Sequence, residues 1–264
     1  VCCVLGGQWG DEGKGKLADV LAKEYDIVAR FNGGANAGHT VVTPDGKKFA
    51  FHLLPCGLIY PHTLNLLGNG VVVHLPALFE ELGPVEAEGI STKGRLKLSN
   101  RAHLLFDFHQ LVDGVLEERR KGGGGSIGTT KKGIGPAYSS KATRHGIRVG
   151  QLLDWPSFEA SYRSLLADHQ AMYGFEYPQA EAELEALKGY RARIVEDDMV
   201  VDGVTGFLVP EGDAKALASV LVLLAGDADL RDRLGRAGRE RYLSHFTRER
   251  CLIRVIQEFD DALA

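Results

Sequence analysis

The sequence predicts an α/β fold that is P-loop-type, with a mainly parallel sheet, a helical side layer and an α-helical C-terminal tail. Three observations predict it. First, the apolar run VCCVL leads into the glycine-rich stretch GQWGDEGKGK, then a helical stretch with Leu17, Val20 and Leu21 on one face, then the strand-like DIVARF. This is a β-loop-α-β unit, the entry to a parallel sheet. Second, residues 155 to about 198 carry Phe158, Tyr162, Leu165, Leu166 and His169, then Leu184, Leu187, Arg191 and Ile194, at the spacing of two successive helices. Third, from about residue 201 the composition changes. Asp213 and Asp227 stand where helix N-caps belong, and Leu252, Val255, Ile256, Phe259 and Leu263 line one face of a last helix.

The elements follow in order. Residues 1–5 read as the first strand, followed by the glycine-rich turn, the helix and DIVARF. VVTPDGKKFAFHLLP reads as a hairpin closed at Asp45 and Gly46. TLNLLGNGVVV reads as a strand that breaks at Gly68, Asn69 and Gly70, and DFHQLVDGVLEERRK as a helix. KGGGGS, residues 121–126, is a flexible spacer by composition. No internal repeat is present.

With 264 residues, a formal net charge of -4, 44% hydrophobic and 25% charged residues, the chain has a globular composition without the basic excess of a nucleic-acid binder. No apolar stretch approaches the roughly 18 residues that span a bilayer, so no membrane is expected. Cys2, Cys3, Cys56 and Cys251 show no metal or redox spacing and fit reduced thiols in a cytoplasmic compartment. The chain begins at Val1, inside the first expected strand, so a targeting segment is expected to be missing and an organelle stays open.

Many of the 33 glycines crowd into three clusters, which mark where a ligand meets backbone. In the first, Gly10, four residues, Gly15 and Lys16 meet the Walker spacing between a strand and a helix, the context that gives this motif meaning. Backbone N–H groups, the helix N-terminus and Lys16 there suit phosphate oxygens. Leu17 occupies the place of the usual metal-binding hydroxyl, which leaves Asp11 as the nearest hard oxygen donor for Mg²⁺. The second cluster, NGGANAGHT, follows the second strand and so shares the carboxyl edge of a parallel sheet with the first. His39 within it suits donation to a phosphoryl oxygen. The third, SIGTTKKGIGPAYSSKATRHGIRVG, gathers two threonines with Lys131, Lys132, Lys141, Arg144 and Arg148, a set suited to a monophosphate, although a basic surface loop explains it equally well.

Together, LGGQWGDEGKGKLADVLA, FNGGANAGHTVV, HLLPCGL, LGNGVVV, IGTTKKGIGPAYSSKATRHGIRVG and LKGYRARI resemble the adenylosuccinate synthetase family over residues 1 to about 200. The resemblance implies a GTP-dependent ligase of purine biosynthesis that joins IMP and L-aspartate through 6-phosphoryl-IMP, with Mg²⁺ as cofactor. It implies that Asp11 is the catalytic base and a metal ligand, that His39 steadies the transferring phosphoryl group with Lys16, and that the Gly38 carbonyl is a second metal ligand. Gly10, Asp11, Glu12, Gly13, Lys14, Gly15 and Lys16, with Gly38, His39 and Thr40, are implied to contact GTP. Asp11, Asn36, Ala37, Gly38, His39 and Thr130 are implied to contact IMP. Arg144 is implied to reach the IMP phosphate of a partner subunit, hence a homodimer.

The family's later segments, which complete the IMP, aspartate and guanine contacts, are not matched, so a truncated synthetase domain over residues 1–200 with impaired activity is expected. A nucleotide-binding module without catalysis is one alternative, and a sugar-nucleotide glycosyltransferase fragment carried by the tail is a second. Residues 201–264, with DGVTGFLVPEGDAKALASVL and LRDRLGRAGRERYLSHF, resemble the C-terminal end of two-domain nucleotide-sugar glycosyltransferases. A junction near DDMVVDGV and a loosely docked or poorly ordered tail are therefore expected.

Overall fold

Parallel pairing dominates the first unit of this computed structural model, which describes residues 2–7, 13–42, 46–122, 128–197, 199–201 and 214–245. Strand β1 (Ile27–Gly33) pairs in parallel with β4 (Leu64–His74), and β4 pairs in parallel with β5 (Leu96–Ser99) and β6 (His103–Leu105). The short β7 (Val200–Val201) extends the sheet beyond β5. Strands β2 (His39–Val42) and β3 (Lys48–Phe51) form the expected antiparallel hairpin, with Gly46 at φ 86° in its turn; Asp45 lies outside the described residues.

The long β4 serves two neighbours in succession. Its first half, at Asn65 to Leu67, meets β5, and its last three residues meet β6. The break expected at Gly68, Asn69 and Gly70 does not occur. The two glycines instead let the β1 backbone pass: a Cβ at Gly70 would lie 2.1 Å from the Phe31 carbonyl oxygen, and one at Gly68 3.1 Å from that of Arg30. From Arg30 to Asn32 on β1 the partners advance from Leu67 to Gly70 on β4, so β4 itself carries a bulge at Gly68 and Asn69, and its glycines let the bulged strand lie close to β1.

Two further expectations need correction. Residues 2–7 form no strand, and Leu5 is 69% exposed. Strand-forming residues need a covered face to profit from pairing, and none covers Leu5. Helix α1 (Lys14–Ala22) forms as expected, but Leu17 and Val20 are exposed. Its contact with the 3-10 turn Cys56–Ile59 and with β2 runs through the small residues Ala18 and Ala22, which allow a closer approach than leucine would.

Helix α2 (Leu75–Ala87) continues directly from β4 and buries Leu78 and Leu82 against the sheet core of Val71, Val73, Leu96 and Leu98. Helices α3 (Asp107–Gly122) and α4 (Ile134–Ala142) flank the carboxyl edge, and α5 (Trp155–Tyr173) and α6 (Ala180–Glu196) form the expected helical layer. Phe158, Tyr162, Leu165, Leu184, Leu187 and Ile194 are buried in it. The buried Glu183 joins three of these helices: its carboxylate accepts from the Asp107 backbone N–H at 2.7 Å, Tyr162 Oη at 2.5 Å and Tyr177 Oη at 3.0 Å. Of KGGGGS, residues 123–126 lie outside the described residues.

The chain divides into units Val1–Val200 and Val201–Ala264. In the second, α7 (Ala214–Gly226) and α8 (Ala228–His245) contact one another. The Asp227 carboxylate accepts from the Leu230 backbone N–H at 2.8 Å, the expected N-cap. Asp213 and the expected helix through Leu252 and Leu263 lie outside the described residues. Among the described residues no helix is long and apolar enough to cross a membrane.

Candidate functional site

The glycine-rich turn enters α1 through Gly13, whose φ of 82° is open to glycine at little cost. Its carbonyl accepts from the Lys16 N–H at 3.0 Å and starts the helix. Lys14, Gly15 and Lys16 form the first turn, where N–H groups without helical acceptors and the helix dipole favour an anion. Gly10, Asp11 and Glu12 lie outside the described residues.

Residues 34–38 link β1 to β2 and are held from below by Arg30. Its guanidinium donates to the carbonyls of His52 at 2.6 Å, Gly34 at 2.5 Å and Asn32 at 3.3 Å, and to Asn36 Oδ1 at 3.4 Å. Burial draws the Arg30 pKa below its ordinary value, while Glu81 and Tyr138 oppose that shift. A second tie comes from His52: its ring Nδ1 bonds the Ala37 carbonyl, and its own carbonyl accepts from the Ala37 N–H at 3.3 Å. The Glu81 carboxylate fixes His52 in turn, accepting from the backbone N–H groups of His52, Leu53 and Leu54. On the other side, Tyr138 Oη accepts from the Gly33 N–H and donates to the Gly70 carbonyl, both at 2.7 Å.

The threonine-lysine loop, residues 128–133, is anchored on α3. Gly133 has φ 73°, its N–H donates to Asp113 Oδ2 at 3.1 Å, and a Cβ there would lie 2.7 Å from the Gln110 nitrogen. Beneath it, the fully buried His109 accepts from the Phe106 N–H and sits 3.3 Å from Ser140 Oγ, which also meets His169 at 3.3 Å. Burial holds His109 well below the usual histidine range, with His169 and His74 adding to the shift, so it is a neutral strut. From this loop Lys132 Nζ donates to the Ala35 carbonyl at 2.7 Å and joins it to the asparagine loop.

The structure thus brings Asn36, Ala37 and Gly38 beside the loop of Thr130. Asn36, Gly38 and Thr130 are exposed, and Ala37 is half-buried. Helix α1, with Lys14 and Lys16, contacts β2, which begins at His39 and Thr40. The His39 side chain lies outside what is described. Arg144 is not part of this cluster: it follows the far end of α4, about 13 Å of helix from the loop, exposed and at φ 64°. Reading the sequence missed Arg30, His52, Glu81 and Tyr138 as site-building residues. Arg30 had a visible signal, a cation inside the apolar DIVARF. His52 and Glu81 are partners across 29 residues and had none.

Among the described residues, no group of three or more His, Cys, Asp or Glu side chains stands ready for a metal ion. Gly38 is exposed, and a Cβ there would meet nothing within 4 Å, so its backbone is accessible to a ligand. Its carbonyl is a hard oxygen of the kind Mg²⁺ takes, an ion that fills the rest of its shell with phosphate and water; Asp11 lies outside the described residues.

Residues 3–213 match the family model described as adenylosuccinate synthetase. The chloroplastic adenylosuccinate synthetase of Ostreococcus tauri is 53% identical over 195 residues, 74% of this chain and 40% of that protein. The adenylosuccinate synthetase of Paramecium tetraurelia is 50% identical over 206 residues, covering 76% and 46%. The structure of fully ligated adenylosuccinate synthetase from Plasmodium falciparum superposes with a TM-score of 0.68 at 46% identity, covering 76% of this chain and 46% of that one. This chain therefore spans less than half the length of each of these relatives. The family match passes the junction expected near residue 200 and ends at residue 213, and none of these three relatives is a sugar transferase.

Proposed function

Because the chain belongs to the adenylosuccinate synthetase family, we propose that it serves purine nucleotide synthesis by the GTP-dependent joining of IMP and L-aspartate. The observation that most supports this reading is the Lys132 bridge to the Ala35 carbonyl, 2.7 Å, between the two ligand loops at the rim where α1 begins. That bridge sets the exposed Asn36 and Gly38 beside the loop of Thr130, which supports a shared ligand for the two loops.

In the first step the purine N1 proton passes to the Asp11 carboxylate, O6 bonds to the γ-phosphorus of GTP, and the bond from that phosphorus to the β-phosphate oxygen breaks. GDP leaves and 6-phosphoryl-IMP remains. In the second, the aspartate amine bonds to C6, the C6–O6 bond breaks, phosphate leaves, and the amine sheds its surplus proton. A carboxylate of pKa about 4 is a weak base, so its work depends on stabilising the O6 charge as it forms. Lys16 and His39 supply that stabilisation. Asp11 and the Gly38 carbonyl would hold Mg²⁺, which when bound neutralises phosphate charge.

Asn36 and Thr130 contact IMP in this reading. Arg144, remote from them in its own chain, serves the site of a second copy, so the working form is a homodimer. The thiols fit a reducing compartment, read here as the cytoplasm.

Measuring adenylosuccinate formation beside GTP and IMP binding on this chain tests the proposal. Turnover abolished by Asp11→Asn supports it. Binding without turnover leaves only the nucleotide-binding module, and unchanged turnover in Asp11→Asn removes the mechanism.

A further inference from the structure

Asn36 carries a side chain with an acceptor at one end and two donors at the other, and which end faces a ligand decides what the loop recognises. Two groups meet the inner end: the Arg30 guanidinium at 3.4 Å and the Gly34 backbone N–H at 3.3 Å. Both are donors only, so the atom that faces them is the oxygen. Gly33 makes this arrangement possible. It sits at φ 83°, and a Cβ there would lie 3.2 Å from the guanidinium and 3.4 Å from Asn36 Oδ1. Arg30 itself cannot turn away, because it also holds the His52 and Gly34 carbonyls at 2.6 and 2.5 Å.

We propose that Arg30 is a positioning residue that fixes the polarity of Asn36, so that the loop presents the Asn36 Nδ2 donors to an acceptor oxygen of the bound nucleotide. The inference rests on the IMP reading above. It adds the chemical sense of the contact, donation from protein to ligand oxygen, and names the buried cation that enforces it. The same rim presents Lys132 and the Thr129 and Thr130 hydroxyls, so an oxygen-rich anion is the matching ligand.

The test uses the full chain in three forms: parent, Arg30→Lys and Asn36→Asp. Amide hydrogen exchange in the absence of ligand reads Arg30 directly. A lysine cannot reach several carbonyls in one plane, so exchange at Gly34 and Ala37 is expected to rise about tenfold in Arg30→Lys, with the core unchanged. In Asn36→Asp the inner acceptor persists, so the same amides stay protected.

The nucleotide arm adds IMP. The Asn36 Nδ2 protons of the parent are expected to shift in a ¹⁵N spectrum, and both variants are expected to lose at least about tenfold in IMP affinity. Unaltered exchange or parent-like IMP affinity in Arg30→Lys overturns the positioning role, and an Asn36→Asp chain that binds IMP like the parent overturns the donor assignment. Nδ2 signals that stay in place while the parent binds IMP overturn the donor assignment. A parent that binds no IMP overturns the proposed function, while the exchange measurement still decides the role of Arg30.

Discussion

At Gly70 the sheet depends on a missing methyl group. A Cβ there would stand 2.1 Å from the Phe31 carbonyl oxygen, and that atom is backbone in a paired strand, so it cannot move alone. Gly70→Ala is therefore expected to cost about 3 kcal/mol, read as a lower denaturant midpoint with unchanged slope. Histidines give a second residue-scale consequence. Burial, with Lys141 and Arg148 nearby, depresses His103 to about 4. Between that value and the usual 6.5 the unfolded chain binds the proton that the folded chain refuses, so stability is full above about 6.5 and falls as the pH drops toward 4, by roughly 1 kcal/mol per pH unit. His103→Gln is expected to flatten that slope in unfolding curves taken from pH 7 to 4. At this scale the sequence spoke through residue type: Gly13 and Gly133 proved to be left-handed turns, whereas Arg30, a cation in an apolar strand, was passed over. It was silent on what Arg30 holds, because the His52 carbonyl comes from 22 residues away.

Helices α3, α5 and α6 meet at one buried carboxylate set within largely apolar packing. Glu183→Ala leaves the Asp107 N–H and the Tyr162 and Tyr177 hydroxyls without their acceptor, a loss of about 3 kcal/mol by thermal or denaturant unfolding. Glu183→Gln keeps an oxygen there and escapes the burial penalty that raises the Glu183 pKa, so about 1 kcal/mol or less is expected. The two long helices were legible because each shows several turns of apolar period. Helix α1 was legible in place but not in orientation, since its packing runs through Ala18 and Ala22 rather than the larger Leu17 and Val20. Strand β4 misled for the opposite reason. GNG is turn-forming in isolation, but in the sheet it forms a bulge within a continuous strand, with both glycines against the β1 backbone.

At the largest scale, the parallel strands β1, β4, β5 and β6 of the first unit put their carboxyl ends at one edge, where β1 leads into the asparagine loop and β6 into α3. The crossing of β1 beside β4 thereby sets the asparagine loop near α4 and the threonine-lysine loop. The shared rim was expected from two strands each followed by a glycine cluster; in the structure such a strand, β1, stands only before the asparagine loop, since residues 2–7 form none. The bridge across the rim through Lys132 was not legible, because Lys132 and Ala35 are 97 residues apart. The central claim is that α1, the asparagine loop and the threonine-lysine loop grip one pair of nucleotides. Amide hydrogen exchange on the whole chain, with and without IMP, GTP and Mg²⁺, tests it most directly. Slowed exchange in all three segments, residues 13–16, 34–38 and 128–133, is the predicted result; no slowing in any of them at saturating nucleotide would contradict it.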